Sequence, residues 1–167
     1  MELATHRHAK NEYFRRAHDS PLTPEQRDSF SGLSYFEPDP AYSFVVELDA
    51  ANAGAPEQVE MSDGTTNELE RAGTLSFAVD ATEVSLIAFR QGDDLFIPFR
   101  DATSGHETYG AGRYVEAERT HDGRWALDFN LAYNPYCAYN ERWRCPLPPS
   151  ENWLSVAIRA GEKTFAH

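Results

Sequence analysis

Cysteine is nearly absent, with two residues in 167, so no disulfide-built scaffold of this size is available. Basic side chains are also scarce. Fifteen Lys and Arg face twenty-seven Asp and Glu, giving a formal net charge of -12. Such a surface repels the phosphates of nucleic acids and anionic membranes over a distance set by salt, so neither is expected as a partner. Long apolar runs are missing: no stretch reaches membrane-spanning length, and the start MELATHRHAK lacks the apolar core of a secretory signal. These absences lead to the expectation of a cytoplasmic protein. The phosphate loop GxxxxGK[ST] does not occur. Gly110-x-Gly112 lacks the third glycine and the strand-to-helix setting of a dinucleotide fingerprint. No cofactor is therefore expected.

What remains is ample for a core. Apolar residues make up 41% of the chain, and ten Phe and eight Tyr suit sheets and their cross-strand pairs. One domain over 1–167 is expected, with a helical region at about 2–30 and a β-rich body at about 41–160. Residues 2–17 carry an irregular apolar stripe of Leu3, His6, Tyr13 and Phe14 and read as a helix, with His6, His8 and His18 facing solvent. Thr23, Pro24 and Gln26 form a capping-box pattern for a second, short helix ending near Phe30 and Gly32.

The period then changes to two. Tyr42, Phe44, Val46 and Leu48 alternate, as do Leu75, Phe77 and Val79, and Val84 and Leu86. Strands are expected at 73–80, 83–90, 94–99, 111–119, 124–131 and 153–159, with turns at QGDD and HDG. Pro98 marks an edge or bulge. AGAPEQVEMSDGTTNELERAG reads as an exposed hairpin connection with one short strand near Val59. The expected fold is mainly β, an antiparallel sandwich or partly open barrel with N-terminal helices.

Two segments hold the chemistry-bearing residues. FRDATSGHETYGAGRY is dense in turn-forming groups; its Arg113 can clamp a carboxylate or phosphate, or equally pin a structural Asp, and His106 and Tyr109 can move protons or hydrogen-bond. In the second segment Trp125, Leu127, Phe129 and Leu131 share one strand face, which leaves Asp128 and Asn130 on the other. Asp128 there is either an ordinary solvated carboxylate or a base in a polar pocket. Further along, Tyr133 and Tyr139 can cover a ligand or close a barrel mouth, and Asn134 and Asn152 add hydrogen-bonding groups. Glu151 is a second acid–base candidate. Cys137 and Cys145 lie eight positions apart, without CxxC spacing, and no local ligand cluster demands a metal. A disulfide between them would remove roughly 2–3 kcal/mol of unfolded-state entropy. Two buried free thiols fit the sequence equally well.

The strings SPLTPEQRDSFSGLSYF, PFRDATSGHETYGAGRY and LDFNLAYNPYCAYNERWRCPLPPSENWLSVAIRAGEK together resemble the bacterial and archaeal family called domain of unknown function 1684. The resemblance spans nearly the whole chain, with 49–72 its main gap. It implies that the glycine-rich and cysteine-bearing segments belong together, and it carries no activity. The residues themselves point to a small polar or anionic ligand held by Arg113, Tyr109, Asn130, Tyr133, Asn134, Tyr139 and Asn152. The alternatives are a hydrolase or isomerase with Asp128, Glu151 or His106 as acid or base and Arg113 stabilising negative charge, and a structural or interaction module. Homodimerisation is compatible with the sequence.

Overall fold

The computed structural model describes residues 2–166. Two helices open the chain, α1 (Leu3–Arg16) and α2 (Pro24–Ser29). The capping box forms as read. Thr23 Oγ1 accepts from the Gln26 amide at 3.2 Å, and Gln26 Oε1 accepts from the Thr23 amide at 2.9 Å.

Eight strands follow: β1 (Ser43–Val46), β2 (Leu48–Asp49), β3 (Pro56–Glu60), β4 (Thr66–Val79), β5 (Thr82–Gln91), β6 (Asp94–Phe99), β7 (Arg113–Arg119) and β8 (Trp125–Asp128). Their order is β1-β8-β7-β6-β5-β4-β2, all antiparallel, with β3 added to β4. β1 and β2 lie at opposite ends of that order, yet only Glu47 separates them in sequence. One short stretch of chain thus pairs with β8 through 43–46 and with β4 through 48–49, and so nearly closes the sheet into a barrel. Closure removes the open edges that a flat sheet would present.

Closure depends on a close approach at Gly73, where β4 shifts register against β5. Its φ is +150°, and a Cβ there would sit 2.3 Å from the Asp49 carbonyl oxygen. Below this bulge β4 runs on to pair with β3. The region read as an exposed connection is therefore a two-stranded ribbon, with the expected strand at Val59 and β4 beginning at Thr66 rather than near residue 73.

The barrel interior is filled by the alternate residues of each strand, among them Leu75, Phe77, Leu86, Leu95, Ile97, Val115, Ala117 and Leu127. Phe129 sits against Phe44, Phe77 and Phe99, with ring centroids 6.1, 5.4 and 5.2 Å away. Each such pair adds about 0.5–1.5 kcal/mol beyond its buried area.

Two expectations fail beyond β8. The strand there ends at Asp128, and Phe129–Leu131 turn into a 3-10 helix because the Asp128 side chain caps the Asn130 amide at 3.0 Å. Residues 153–159 are not a strand of the sheet. They run beside 100–102, tied by Arg100 N to Asn152 O, Leu154 N to Arg100 O and Ala102 N to Val156 O. Asn152 explains why. β5 and β6 pair only from Phe89 to Gln91. Above that the strands splay, and the buried Asn152 side chain fills the gap, accepting from Ile87 N and donating to the carbonyls of Ile87 and Pro98. Pro98 has no N–H to offer a partner strand, which suits it to this split.

After β8 the chain adds no strand to the sheet: Phe129, Ala132, Ile158 and Ala160 join the barrel core, and the stretch between them packs outside. Residues 133–145 cover Ile87, Phe89, Phe96 and Tyr114 in a second apolar cluster. Tyr139 joins Phe14 and Leu22 beneath the helices.

Candidate functional site

Strand β7 alternates Val115 and Ala117 into the barrel with Glu116 and Glu118 on its outer side. The β6–β7 register pairs Phe96 with Glu116 and Leu95 with Ala117, which sets Asp94 beside Glu118. On β8, Ala126 pairs with Glu118, and Asp128 follows on the same face opposite Ser43 of β1. This outer face forms the floor of a concavity of about 640 Å³. His6 and Lys10, four residues apart on α1, line it as well, along with Leu131 and Tyr133. The volume lies within the range that holds small ligands.

Four carboxylates, on Asp94, Glu116, Glu118 and Asp128, line this groove. Among the described residues, Asp94 and Glu118 take part in no ion pair or side-chain hydrogen bond. Glu116 accepts from the Tyr133 hydroxyl at 2.8 Å and from Gln91. The groove's one lysine, Lys10, is held by an ion pair to Glu162. Burial, then the Glu116 charge, pushes the Tyr133 phenol well above its ordinary range, so it stays a donor.

Arg113 lies elsewhere. It is 1% exposed and points into the end of the barrel, over the Phe99 ring at 5.2 Å. Its Nη2 donates to Ile158 O at 2.9 Å and sits 3.6 Å from Asp101 Oδ1, while its Nη1 donates to the carbonyls of Ala160 and Glu162. Asp101 in turn accepts from the Ile158 amide at 2.6 Å and from Thr103 Oγ1 at 2.8 Å. Burial pulls the guanidinium pKa down and Asp101 opposes it. The pair thus reads alternate carbonyls of an extended strap, residues 158–162, and fastens it across the barrel end. Gly161 permits this path: its φ is +81°, and a Cβ would meet Ala132 O at 2.6 Å. The structural Asp considered for Arg113 is Asp101, and the arginine offers no fork to a ligand in the groove.

The other sequence candidates separate in the same way. Asp128 and Tyr133 line the groove. Asn130 is buried beside it, locking the Asp39 backbone through both its amide atoms and donating to Asp128 Oδ1. Asn134 and Tyr139 meet on Glu162, whose Oε1 accepts from the Asn134 amide and the Tyr139 hydroxyl, each at 3.0 Å. Asn152 is the wedge between β5 and β6. Glu151 is exposed in a 3-10 turn, where Ser150 Oγ donates to it at 3.2 Å. His106 is exposed in the loop closed by Thr103 and Thr108. Of Asp128, Glu151, His106 and Arg113, Asp128 lines the groove and the other three do not. Tyr109 is half-buried, with its hydroxyl 3.7 Å from Cys137 Sγ. Both cysteines are free thiols, Cys145 buried and Cys137 half-buried. Among the described residues, no group of three or more His, Cys, Asp or Glu side chains is arranged to hold a metal ion.

Glu162 is the residue that sequence reading missed. It is 2% exposed and joins Lys10, Asn134 and Tyr139 in one network. The signal was present: Ile158, Ala160 and Glu162 share one phase, which puts a carboxylate in step with two core residues.

Fold and groove together define a nearly closed antiparallel barrel whose N-terminal helix overhangs an acidic groove on the outer face of the sheet. The model of the family described as protein of unknown function (DUF1684) matches residues 28–163, and the chain belongs to that family. It is similar to an uncharacterised protein of Haloarcula marismortui, solved by solution NMR, at 44% identity. The match covers 97% of this chain and 92% of that one, with a TM-score of 0.74. No curated protein matches. No helix among the described residues is long and apolar enough to cross a membrane.

Proposed function

We propose that the groove between α1 and the outer face of β6–β8 binds a small polar ligand carrying positive charge, such as an organic ammonium. The observation that carries this is the convergence of Asp94, Glu116, Glu118 and Asp128 on one concavity of about 640 Å³, where Asp94 and Glu118 take part in no ion pair among the described residues. Like charges on neighbouring strands of one face repel, so the unliganded arrangement is costly and a bound cation relieves it. Tyr133 supplies an aromatic wall that suits a cation, and Lys10 already lies 5.0 Å from that ring. The anionic ligand considered from the sequence depended on an available Arg113, whose Nη1 and Nη2 donate to the 158–162 strap.

The acid–base reading has less support, because Asp128 lines the groove while Glu151 and Arg113 do not. The interaction-module reading draws on the filled barrel interior and on Trp153, which is 55% exposed.

Calorimetry with spermidine, putrescine and citrate tests the proposal. Saturable binding of a polyamine that weakens with salt and is lost in Asp94→Asn/Glu118→Gln supports it. Binding of citrate alone, or polyamine binding unchanged in that variant, overturns it.

A further inference from the structure

A second cluster of reactive groups lies apart from the groove carboxylates, where the cysteine segment folds back on the β3–β4 ribbon. Cys137 sits in the 3-10 turn Tyr136–Ala138. The chain then loops out to Pro21, whose carbonyl accepts from the side chains of Asn140 and Trp143, and returns to Cys145. Cys145 is fixed at both backbone groups: its amide donates to Ser62 Oγ at 2.9 Å, and its carbonyl accepts from the Ser62 amide at 2.8 Å. Pro146 next to it bridges to Met61. The return packs Cys137 against the apolar cluster that holds Cys145, within reach of a hydrogen bond between the two thiols.

The two sulfurs are not equivalent. Cys137 is half-buried, while Cys145 is buried among Val59, Phe96 and Tyr114. Cys137 has a polar neighbour of its own: the Tyr109 hydroxyl donates to its sulfur at 3.7 Å. The Cys145 hydrogen bond, with Tyr109 and Ser62 behind it, draws the Cys137 thiol down to about 6, against the opposing effect of burial. The same bond, reinforced by burial, pushes Cys145 up. This is the division between an attacking and a resolving thiol.

We propose that Cys137 and Cys145 form a redox-active dithiol that closes to an intramolecular disulfide by exchange with a small-molecule disulfide. The Cys137 thiolate attacks one sulfur of the oxidant, whose S–S bond breaks and releases one thiolate. Cys145 then gives up its proton to that departing thiolate and attacks the Cys137 sulfur, expelling the second thiolate. Two protein thiols are oxidised to one disulfide and the oxidant is reduced to two thiols, the second proton coming from solvent. The proposal does not depend on the groove reading.

The test treats the fully reduced chain with oxidised glutathione at neutral pH and reads the intact mass without reductant. The expected product has lost two hydrogens, carries no glutathione, and maps by peptide analysis to Cys137–Cys145. Cys145→Ser is expected to stop at a single glutathione adduct on Cys137. Cys137→Ser is expected to react about tenfold or more slowly than Cys145→Ser. The pH profile of alkylation by iodoacetamide supplies a readout that packing alone would not move. The Cys137 midpoint in the native chain should fall below the ordinary thiol value of about 8.5, and Cys145→Ala should raise it. Stable glutathione adducts on the native chain, disulfides only between chains, or an ordinary alkylation midpoint that Cys145→Ala leaves in place would each overturn the proposal.

Discussion

Carboxylates and cations are gathered in two places, and the two places are built on opposite terms. At the barrel end, Arg113, Asp101 and Glu162 are almost wholly buried, and each is met by a partner of opposite charge or by backbone dipoles. On the outer face of β6–β8, Asp94, Glu116, Glu118 and Asp128 line an open groove, and their only lysine is committed to Glu162. A buried charge has to be compensated within the chain because the cost of desolvation is large. A charge facing an open groove has no such obligation. The barrel-end cluster therefore holds the strap and closes the fold, while the groove retains charge that a ligand can use.

Substitutions should separate the two regions, and the largest effect belongs to the barrel end. Arg113→Met leaves Asp101 buried without its cation and frees the carbonyls of 158, 160 and 162. A loss of about 3–5 kcal/mol in urea unfolding is expected, and a combined Asp101→Leu/Arg113→Met chain should recover part of it. Next comes Glu162→Gln, which weakens the bonds from Asn134 and Tyr139 and strands Lys10; about 2 kcal/mol is expected in the same measurement.

Two tyrosines sharpen the contrast, since Tyr139 donates to Glu162 at the barrel end and Tyr133 donates to Glu116 in the groove. Burial raises both phenols above their ordinary value, and the carboxylate raises them further. A folded-state value above the unfolded one means that the folded chain holds the proton longer. Its stabilising contribution is complete below about pH 10 and is lost as pH rises beyond it. Thermal melts from pH 8 to 11 should show falling stability above about pH 10. Tyr139→Phe and Tyr133→Phe should each reduce that slope by a similar amount, and Tyr139→Phe should cost about 1 kcal/mol at neutral pH.

The smallest effect on stability is expected in the groove. Glu118→Gln should change unfolding free energy by less than about 0.5 kcal/mol, in the stabilising direction if neighbouring carboxylates repel. The same substitution should weaken polyamine binding measured by calorimetry. A groove substitution as costly as Arg113→Met would dissolve the distinction between the regions.

The strands were legible wherever alternation is local. Leu75, Phe77 and Val79 declare a core face without any tertiary information, and so do Thr23, Pro24 and Gln26 for the start of α2. Asp128 and Tyr133 could be singled out because a polar residue out of phase with Leu127, and an aromatic in a proline-rich loop, are visible in the sequence. Lys10 and Glu118 were not seen as site residues, since an exposed charge on a helix or strand looks the same whether or not a groove forms above it. The extra strand expected at 153–159 had the right alternation. It lost its place in the sheet because Asn152 takes up the backbone groups of Ile87 and Pro98 between which a strand would have had to pair.

The sequence by itself determined a β-rich chain with two N-terminal helices, a formal net charge of -12 and membership of a family marked by its glycine-rich and cysteine-bearing segments. Those properties rest on composition and on interactions between near neighbours. Only the tertiary structure decided that the switch at Glu47 closes the sheet, that Arg113 fastens a strap, that Glu162 is a hub and that Cys137 packs against the cluster holding Cys145. Each of these joins residues far apart in the chain, or depends on which way a loop folds back. Side-chain identity alone does not say which partner a charge or a thiol will meet.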